Sequence, residues 1–411
     1  MTRKLLALLL TVLLVLTMMF TATAEEAVTI RIAGGWPDCR AIDVVAKLFT
    51  EKYPNCQITY EYLQEYYDSL VKRMDGEEAI DVFMTSNIQR DSPVFLNALD
   101  LYSRKDLDLS NTFEGLIQNF ALRGAEGAGA QLYAIPLGAE MRGLYVNMTL
   151  LNSLGIAMPT DQASLLEACQ KLKENGYIAF HGNPGAFAQT LLYPWICNII
   201  ANADDPDAVR AKIAANEPGM AELFREPFEF LYKLVENGYY DYTRAQSEMN
   251  LYTDTTDEAY ARDFLNIQLQ GEEYVKADDV GRVAFMPSPI SLDSVIAKTK
   301  DDYHSEIEYK FVLAPVGAEG GYAYMSCAHG IAVNKDAPNL DWAVRFIDFL
   351  FQPDNNKVFA ETFSVIPNTK EAFSYIHTLF DVPDNHISHL GEVTFDFGFY
   401  EAIRASLVDL S

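Results

Sequence analysis

Positive charge is in short supply: 31 Lys and Arg stand against 58 Asp and Glu, a formal net charge of −27 over 411 residues. The first 24 residues hold two of the basic side chains and none of the acidic ones, so the rest carries 29 basic against 58 acidic, or −29. Phosphate backbones demand basic surface, which excludes a nucleic-acid partner. The acidity favours solubility and says little about fold. The five cysteines (Cys39, Cys56, Cys169, Cys197, Cys327) are scattered and form no C-x-x-C, so neither a zinc site nor a thioredoxin-type motif is expected. Of the six histidines, His386 and His389 stand three apart without a Cys/His partner set, which points to a helix face rather than a metal pair. There is no G-x-S-x-G, no H-E-x-x-H and no P-loop. The Gly-rich stretch 124–129 lacks the Lys-Ser/Thr of a phosphate loop and follows no strong strand, so it is expected to be a flexible turn. No catalytic residue, metal or cofactor is expected.

What is present starts at the amino terminus. Arg3 and Lys4 precede an apolar run over 5–20, and Ala22-Thr23-Ala24 is an A-x-A cleavage site. The run has 16 residues, short of the ~20 a spanning helix needs, and Glu25 and Glu26 follow at once. Residues 1–24 are therefore expected to be a secretory signal cleaved after Ala24. The remaining 387 residues are ample for two domains at the usual ~100–200 residues each. In an exported protein one or two disulfides can form, but the expectation is buried free thiols. Cys39 and Cys56 flank one helix end to end, too far apart to bridge. Aromatic residues make up 12%, with 23 Tyr and 24 Phe; most will be core, but such an excess of Tyr suits a cleft that stacks on ligand rings.

The first part alternates strand and helix. VTIRIA at 28–33 alternates as a strand, 34–38 is the loop at its carboxyl end, and 40–53 shows helical spacing (Ile42, Val45, Leu48, Phe49). Pro54 ends that helix, 56–63 is the next strand, a helix runs to Met74, and DVFMT at 81–85 is a short buried strand with an exit loop at 86–90. This alternation implies a mostly parallel sheet with right-handed crossovers. Ligands meet such sheets at the carboxyl ends of strands, which makes Trp36, Asp38, Asn87 and Arg90 binding candidates. Residues 96–122 read as helices packing the edge.

The stretch 132–147, LYAIPLGAEMRGLYVN, reads as two short apolar runs, 132–137 and 143–146, around a polar elbow with Glu140 and Arg142. Pro136 removes a backbone donor, so a strand, a bend and a second strand are expected. The stretch lies between two α/β patterns and is a hinge candidate, placed where ligands tend to bind. Beyond it, 164–175 is an amphipathic helix closed by Gly176, 177–180 a strand, 181–187 a Gly/Pro loop, and 191–200 a helix with Trp195 in its core. Phe187 is the better cleft candidate of that segment. Two more helices fill 206–238, and VGRVAFM at 280–286 is a strand ending at Pro287-Ser288-Pro289.

The words Leu132-Tyr133-Ala134-Ile135-Pro136, then Leu144-Tyr145-Val146-Asn147, then 150–155 and Pro159, resemble the crossover of the extracellular solute-binding proteins of ABC importers. The likeness is to family 1, the maltose or oligosaccharide type. FTEKYP at 49–54, the DVF strand, GIAVNKDA at 330–337 and AVRFIDFLF at 343–351 are similar landmarks. The resemblance implies a type II periplasmic-binding-protein-like fold, in which two α/β lobes, each a mostly parallel sheet flanked by helices, are joined by three hinge crossings. It places them near 137–142, 314–316 and 366–369. The first lobe is then 25–138 plus 315–368, and the second 139–314 plus 369–411. Residues 371–410 are expected to be helical. The family's last segment implies that the aromatic run 395–400, with Phe399, reaches the cleft. By the same likeness Met286 and Ser288 lie near the ligand, and the Gly-rich loop after the second crossing brings Tyr322 and Tyr324. Many relatives carry a lipid-bearing cysteine just after the signal; here the first is Cys39, so the expectation is an unlipidated periplasmic or extracellular form.

The expected function is a monomeric substrate-binding component that closes on a solute and presents both lobes to the permease's transmembrane subunits. Sugars or oligosaccharides lead, because Trp, Tyr and Phe faces stack on pyranose C–H surfaces while Asp, Glu, Asn and Arg bind hydroxyls. A receptor for a polyamine, a peptide or ferric ion stays open, the last because of the paired tyrosines Tyr66-Tyr67 and Tyr239-Tyr240. A secreted enzyme is the remaining alternative.

Overall fold

A computed structural model describes residues 27–35, 40–85, 97–117, 121–122, 131–182, 184–215, 217, 220–245, 257–317, 321–327, 329–381 and 387–389. Two sheets organise them. The first has five strands in the order β2–β1–β3–β14–β6. Strands β1 (Val28–Gly34), β2 (Cys56–Tyr62) and β3 (Val82–Thr85) run parallel, and β14 (Gly330–Val333) returns antiparallel between β3 and β6 (Ile135–Pro136). Helix α1 (Arg40–Lys52) joins β1 to β2 and buries Ile42, Val45 and Phe49. The Phe49 ring meets Phe346 and Phe349 of α7 (Leu340–Leu350) edge-on at 5.4 and 5.3 Å, so a helix from each end of the chain closes one core. Such aromatic pairs add roughly 0.5–1.5 kcal/mol beyond the area they bury.

The second sheet has the order β16–β13–β7–β11–β8. Its axis is β7 (Gly138–Asn147). Against the start of β7 lie β13 (Ala323–Cys327) and the two-residue β15 (Ile366–Pro367); further along come β11 (Val283–Pro289) and β12 (Tyr309–Val312), all antiparallel to it. At the margins β8 (Ile178–Phe180) runs parallel to β11, and β16 (Ile387–His389) parallel to β13. Two hairpins stand apart, β4 (Ala121–Leu122) with β5 (Gln131–Leu132), and β9 (Ile267–Gln270) with β10 (Glu273–Lys276).

Helices cover both faces of this sheet, as the period of two along β7 requires. Leu144 and Val146 pack with α2 (Gln162–Glu174) and α3 (Pro184–Leu191), whereas Tyr145 packs with α5 (Asp257–Phe264) and α6 (Asp293–Asp302). Helix α2 starts on a capping box, with Asp161 accepting from the Ser164 amide and the Ser164 hydroxyl answering the Asp161 amide. A side chain at Gly143 would lie 2.5 Å from the Val312 carbonyl oxygen and 2.6 Å from the Phe311 ring, so only glycine lets β12 pair this closely with β7.

Several expectations are corrected. The polar elbow is not a bend: β7 runs unbroken through Glu140 and Arg142, and the break falls before Gly138. The return crossing is not at 314–316. Ala314, Val316 and Tyr322 belong to the second core, β13 pairs with β7, and the chain changes sheet only between Cys327 and Gly330. Residues 315–317 and 321–327 therefore stay with the second sheet. Strand β11 extends beyond 286 through Pro287 and Pro289, because β8 pairs with it only as far as Phe285 and the missing N–H groups fall on the open side. Residues 97–117 hold one 3-10 turn, Leu101–Ser103, and one short helix, Glu114–Ile117, rather than edge helices. The side chain of Asp100 accepts from the amides of Tyr102 and Leu132, which caps the start of the turn and ties it to β5. After α9 (Ala372–Leu379), His389 lies on strand β16 and not on a helix face; His386 lies outside the described residues. Cys56, Cys169, Cys197 and Cys327 are free thiols, and burial raises those of Cys56 and Cys169 to about 11 and about 12.

The crossings form one knot. The Leu137 amide donates to the His329 carbonyl at 2.7 Å. The Asn368 side chain donates to the Pro136 carbonyl at 2.7 Å and accepts from the Phe113 amide at 3.1 Å. Asn356, on α8 (Pro353–Phe363), donates to the Leu137 carbonyl at 3.2 Å and accepts from the Asn368 amide at 2.7 Å. Both asparagines are fully buried. Beyond the knot, a Cβ on Gly138 would meet Val365 at 2.6 Å and the Ile366 carbonyl at 2.7 Å, so β7 leaves through a gap that admits no side chain.

Candidate functional site

Both sheets bring strand carboxyl ends to the crossings. At the first, Thr85 at the end of β3 pairs with Gly330, which pairs in turn with Pro136. At the second, β11 runs out with Ser288 opposite Gly143 and Pro289 opposite Arg142. In α/β sheets this is where side chains are free of the ladder and meet ligands. The first two polar side chains of β7, Glu140 and Arg142, lie two residues apart and so share one face of the strand.

These two side chains are held apart from the cores but not loose. Glu140 Oε1 accepts a hydrogen bond from the Ser291 hydroxyl at 2.9 Å. Its Oε2 stands 3.7 Å from Arg142 Nη2, with the carboxylate side chain 13% and the guanidinium side chain 19% exposed. Tyr324, one residue before the Met325–Met141 pair, is buried nearby. Burial pushes its hydroxyl well above the ordinary tyrosine range, and the positive Arg142 pulls against that shift. Its ring meets Tyr193 edge-on at 6.3 Å, Tyr193 being the first residue of α4 (Tyr193–Ala201). Tyr324 thus backs Arg142, while Ser288 is buried. The arrangement offers a fixed carboxylate, a hydroxyl and a guanidinium on one surface, a donor and acceptor set for polyhydroxyl groups.

Glu140, Arg142 and Tyr324 are therefore brought together, whereas Ser288, opposite Gly143, lies on the other face of the sheet; Ser291 joins the three unanticipated, since a lone serine after two prolines carries no signal of its own. Phe187, Met286 and Tyr322 are corrected to core residues. The Phe187 ring stacks on Tyr240 at 3.8 Å with a 7° interplanar angle, Met286 is 1% exposed among Tyr145, Phe264 and Leu292, and the Tyr322 ring lies against Gly317. Each obeys the stronger rule that large apolar side chains on paired strands and packed helices fill the interior. Trp36, Asp38, Asn87, Arg90 and Phe399 lie outside the described residues.

The paired tyrosines have structural work. Tyr66 donates to the carbonyls of Met84 and Ala33, closing the ends of β3 and β1. Tyr239 donates to Gln170 at 2.7 Å and Tyr240 to the Gly182 carbonyl at 3.0 Å. Burial and neighbouring tyrosines raise the Tyr66 hydroxyl far above its usual range, the reverse of what a phenolate ligand to iron needs. Among the described residues no three His, Cys, Asp or Glu side chains gather to hold a metal, and no helix is long and apolar enough to cross a membrane.

A sequence profile of bacterial extracellular solute-binding proteins matches residues 45–376. Comparison with curated proteins finds no match. Among solved structures, the GacH receptor of Streptomyces glaucescens, determined unliganded and with acarbose, has a TM-score of 0.62 at 14% identity, over 94% of this chain and 94% of that one. Lmo0181 from Listeria monocytogenes, an ABC substrate-binding protein in complex with cycloalternan, has a TM-score of 0.58 at 14% identity, over 94% and 98%. The apo form of RafE from Streptococcus pneumoniae has a TM-score of 0.57 at 12% identity, over 94% and 94%. At such identities the likeness carries the fold, which is the two-lobed type II arrangement.

Proposed function

The chain belongs to the bacterial extracellular solute-binding proteins, and from that premise we propose that it captures a sugar or oligosaccharide between its lobes for an ABC importer. The observation that carries this reading is the Glu140–Ser291–Arg142 set at the mouth of the crossings. A carboxylate already oriented by one hydroxyl is ready to accept from those of a sugar, and a guanidinium alongside donates to ring and hydroxyl oxygens. Fold relatives have been solved in complex with acarbose, cycloalternan and raffinose, which is the solute class this surface suits. The lobes then close as rigid bodies about the knot of crossings, and the closed face meets the permease. We assign the leader cleavage after Ala24 and the monomeric, unlipidated working form to the same reading.

The test is a thermal-shift screen with raffinose, stachyose, acarbose and xylo-oligosaccharides, followed by calorimetry and by mass spectrometry of ligand before and after incubation. An oligosaccharide that binds and returns unchanged supports a receptor. A cleaved product would make the protein an enzyme, and a polyamine, peptide or metal ion found in the protein as purified would move the solute out of the sugar class.

A further inference from the structure

Alternate residues of β7 turn the other way. Ala139 and Met141 pack with Ile366 and Ile376, on the face of the strand opposite Glu140 and Arg142. On that side a groove of about 320 Å³ opens along the third crossing. One wall is the end of α8 with Val365, and α8 belongs to the first lobe through Phe359 in its core. The facing wall holds Phe311 of β12 and Ile290, both attached to the second sheet, and α9 adds Leu379 and Phe380. The groove thus spans the hinge, and its width follows the angle between the lobes.

The lining is apolar apart from Tyr375, Ser364 and two carboxylates. Glu361 sits at the rim, half exposed, with Lys357 at 3.8 Å. Asp293 is different: it is half-buried at the start of α6, the Tyr309 hydroxyl donates to it, and no cationic side chain among the described residues contributes to its setting. Burial holds its carboxyl above the ordinary range, as expected for a carboxylate taken from water without a counter-charge. A ligand ammonium placed there would supply that charge, while its apolar body covers Phe311, Val365 and Phe380.

We propose that this groove behind the hinge is a second binding site, taking a small apolar amine whose ammonium rests on Asp293 and whose hydrocarbon body lies against Phe311 and Val365. The probes are 2-phenylethylamine, 2-phenylethanol and 3-phenylpropanoate, which share a ring and differ in the charge at the end. Calorimetry on the full chain should rank the amine about tenfold or more tighter than the alcohol, the gain of one charge-assisted bond, with no binding of the carboxylate. In Asp293→Asn the amine and the alcohol should bind alike. Leu379→Trp, at a position 44% exposed and so tolerant of the change, should crowd the mouth and weaken both. Equal affinity of amine and alcohol for the wild type would overturn the proposal. So would an amine preference that survives Asp293→Asn, because that is diffuse attraction to a strongly acidic protein rather than a site.

Discussion

The side-chain amide of Asn368 donates to the carbonyl of Pro136 at 2.7 Å, joining residues 232 positions apart at the point where the chain first changes sheet. The same side chain accepts from the Phe113 amide, and the Asn368 amide donates to Asn356. Asn368→Ala leaves a buried carbonyl and a buried amide without partners, each costing about 1–3 kcal/mol. Urea unfolding should show a loss of about 2–4 kcal/mol. Asn368→Asp should be worse at pH 7, since it turns a carboxylate toward the Pro136 oxygen. A mutant as stable as the wild type would mean that the knot does not hold the crossings.

Glu140 should matter for binding more than for folding. With its carboxylate on a ligand hydroxyl, Glu140→Ala should weaken oligosaccharide affinity by about 1.5–3 kcal/mol, roughly 10- to 150-fold. The pair with Arg142 is long, at 3.7 Å, so its loss should cost the fold less than the lost ligand bond costs affinity. Calorimetry and thermal unfolding on the one mutant separate these effects. Unchanged affinity with a lowered melting point would make Glu140 a strut between β7 and Ser291.

His329, at the second crossing, gives the fold a pH dependence. Burial lowers its imidazole from 6.5 to about 4, so between those values the unfolded chain takes up a proton that the folded chain refuses. Its contribution to stability is complete above pH 6.5 and is lost progressively as the pH falls toward 4. Melting temperatures measured from pH 7.5 to 4.5 should fall on the acid side, and His329→Phe should flatten that fall. Parallel curves for wild type and mutant would place the acid sensitivity elsewhere.

Gly143 admits no side chain. A methyl group there meets a backbone oxygen at 2.5 Å, and backbone cannot swing away, so Gly143→Ala should cost about 1–3 kcal/mol or more by overpacking. Gly155→Ala provides the contrast: its φ of +63° strains the backbone but nothing lies within 4 Å, so its cost should be smaller. Equilibrium unfolding of the two variants ranks them.

How much of this was legible in the sequence depended on what each segment packs against. Strands β1, β2 and β3 and helix α1 were readable because one or both faces meet a single core, and the apolar spacing records it. Strand β7 reads as bent because Pro136 removes a donor and Glu140 and Arg142 interrupt the apolar run; the two polar residues do so where one face leaves the core for the crossings, not where the backbone turns. The resemblance places the return crossing at 314–316, whereas Ala314 and Val316 are buried under the second sheet and the chain changes sheet only after Cys327. Glu140 and Arg142 were found from their position between two α/β patterns. Phe187 and Met286 were not separable from core residues by type, since a cleft aromatic and a buried one look alike in a sequence. Asn368 falls within the crossing that the resemblance implies at 366–369, but its bonding role and that of Asn356 leave no trace, because the Pro136 and Leu137 carbonyls they hold lie more than 200 residues away.

The claim that the lobes close on a solute between them is tested most directly by small-angle X-ray scattering, with and without saturating amounts of the oligosaccharide that binds tightest in calorimetry. The radius of gyration should fall on binding, and Glu140→Ala should need more ligand to reach the same value. A scattering profile that stays the same at full occupancy would contradict capture by closure.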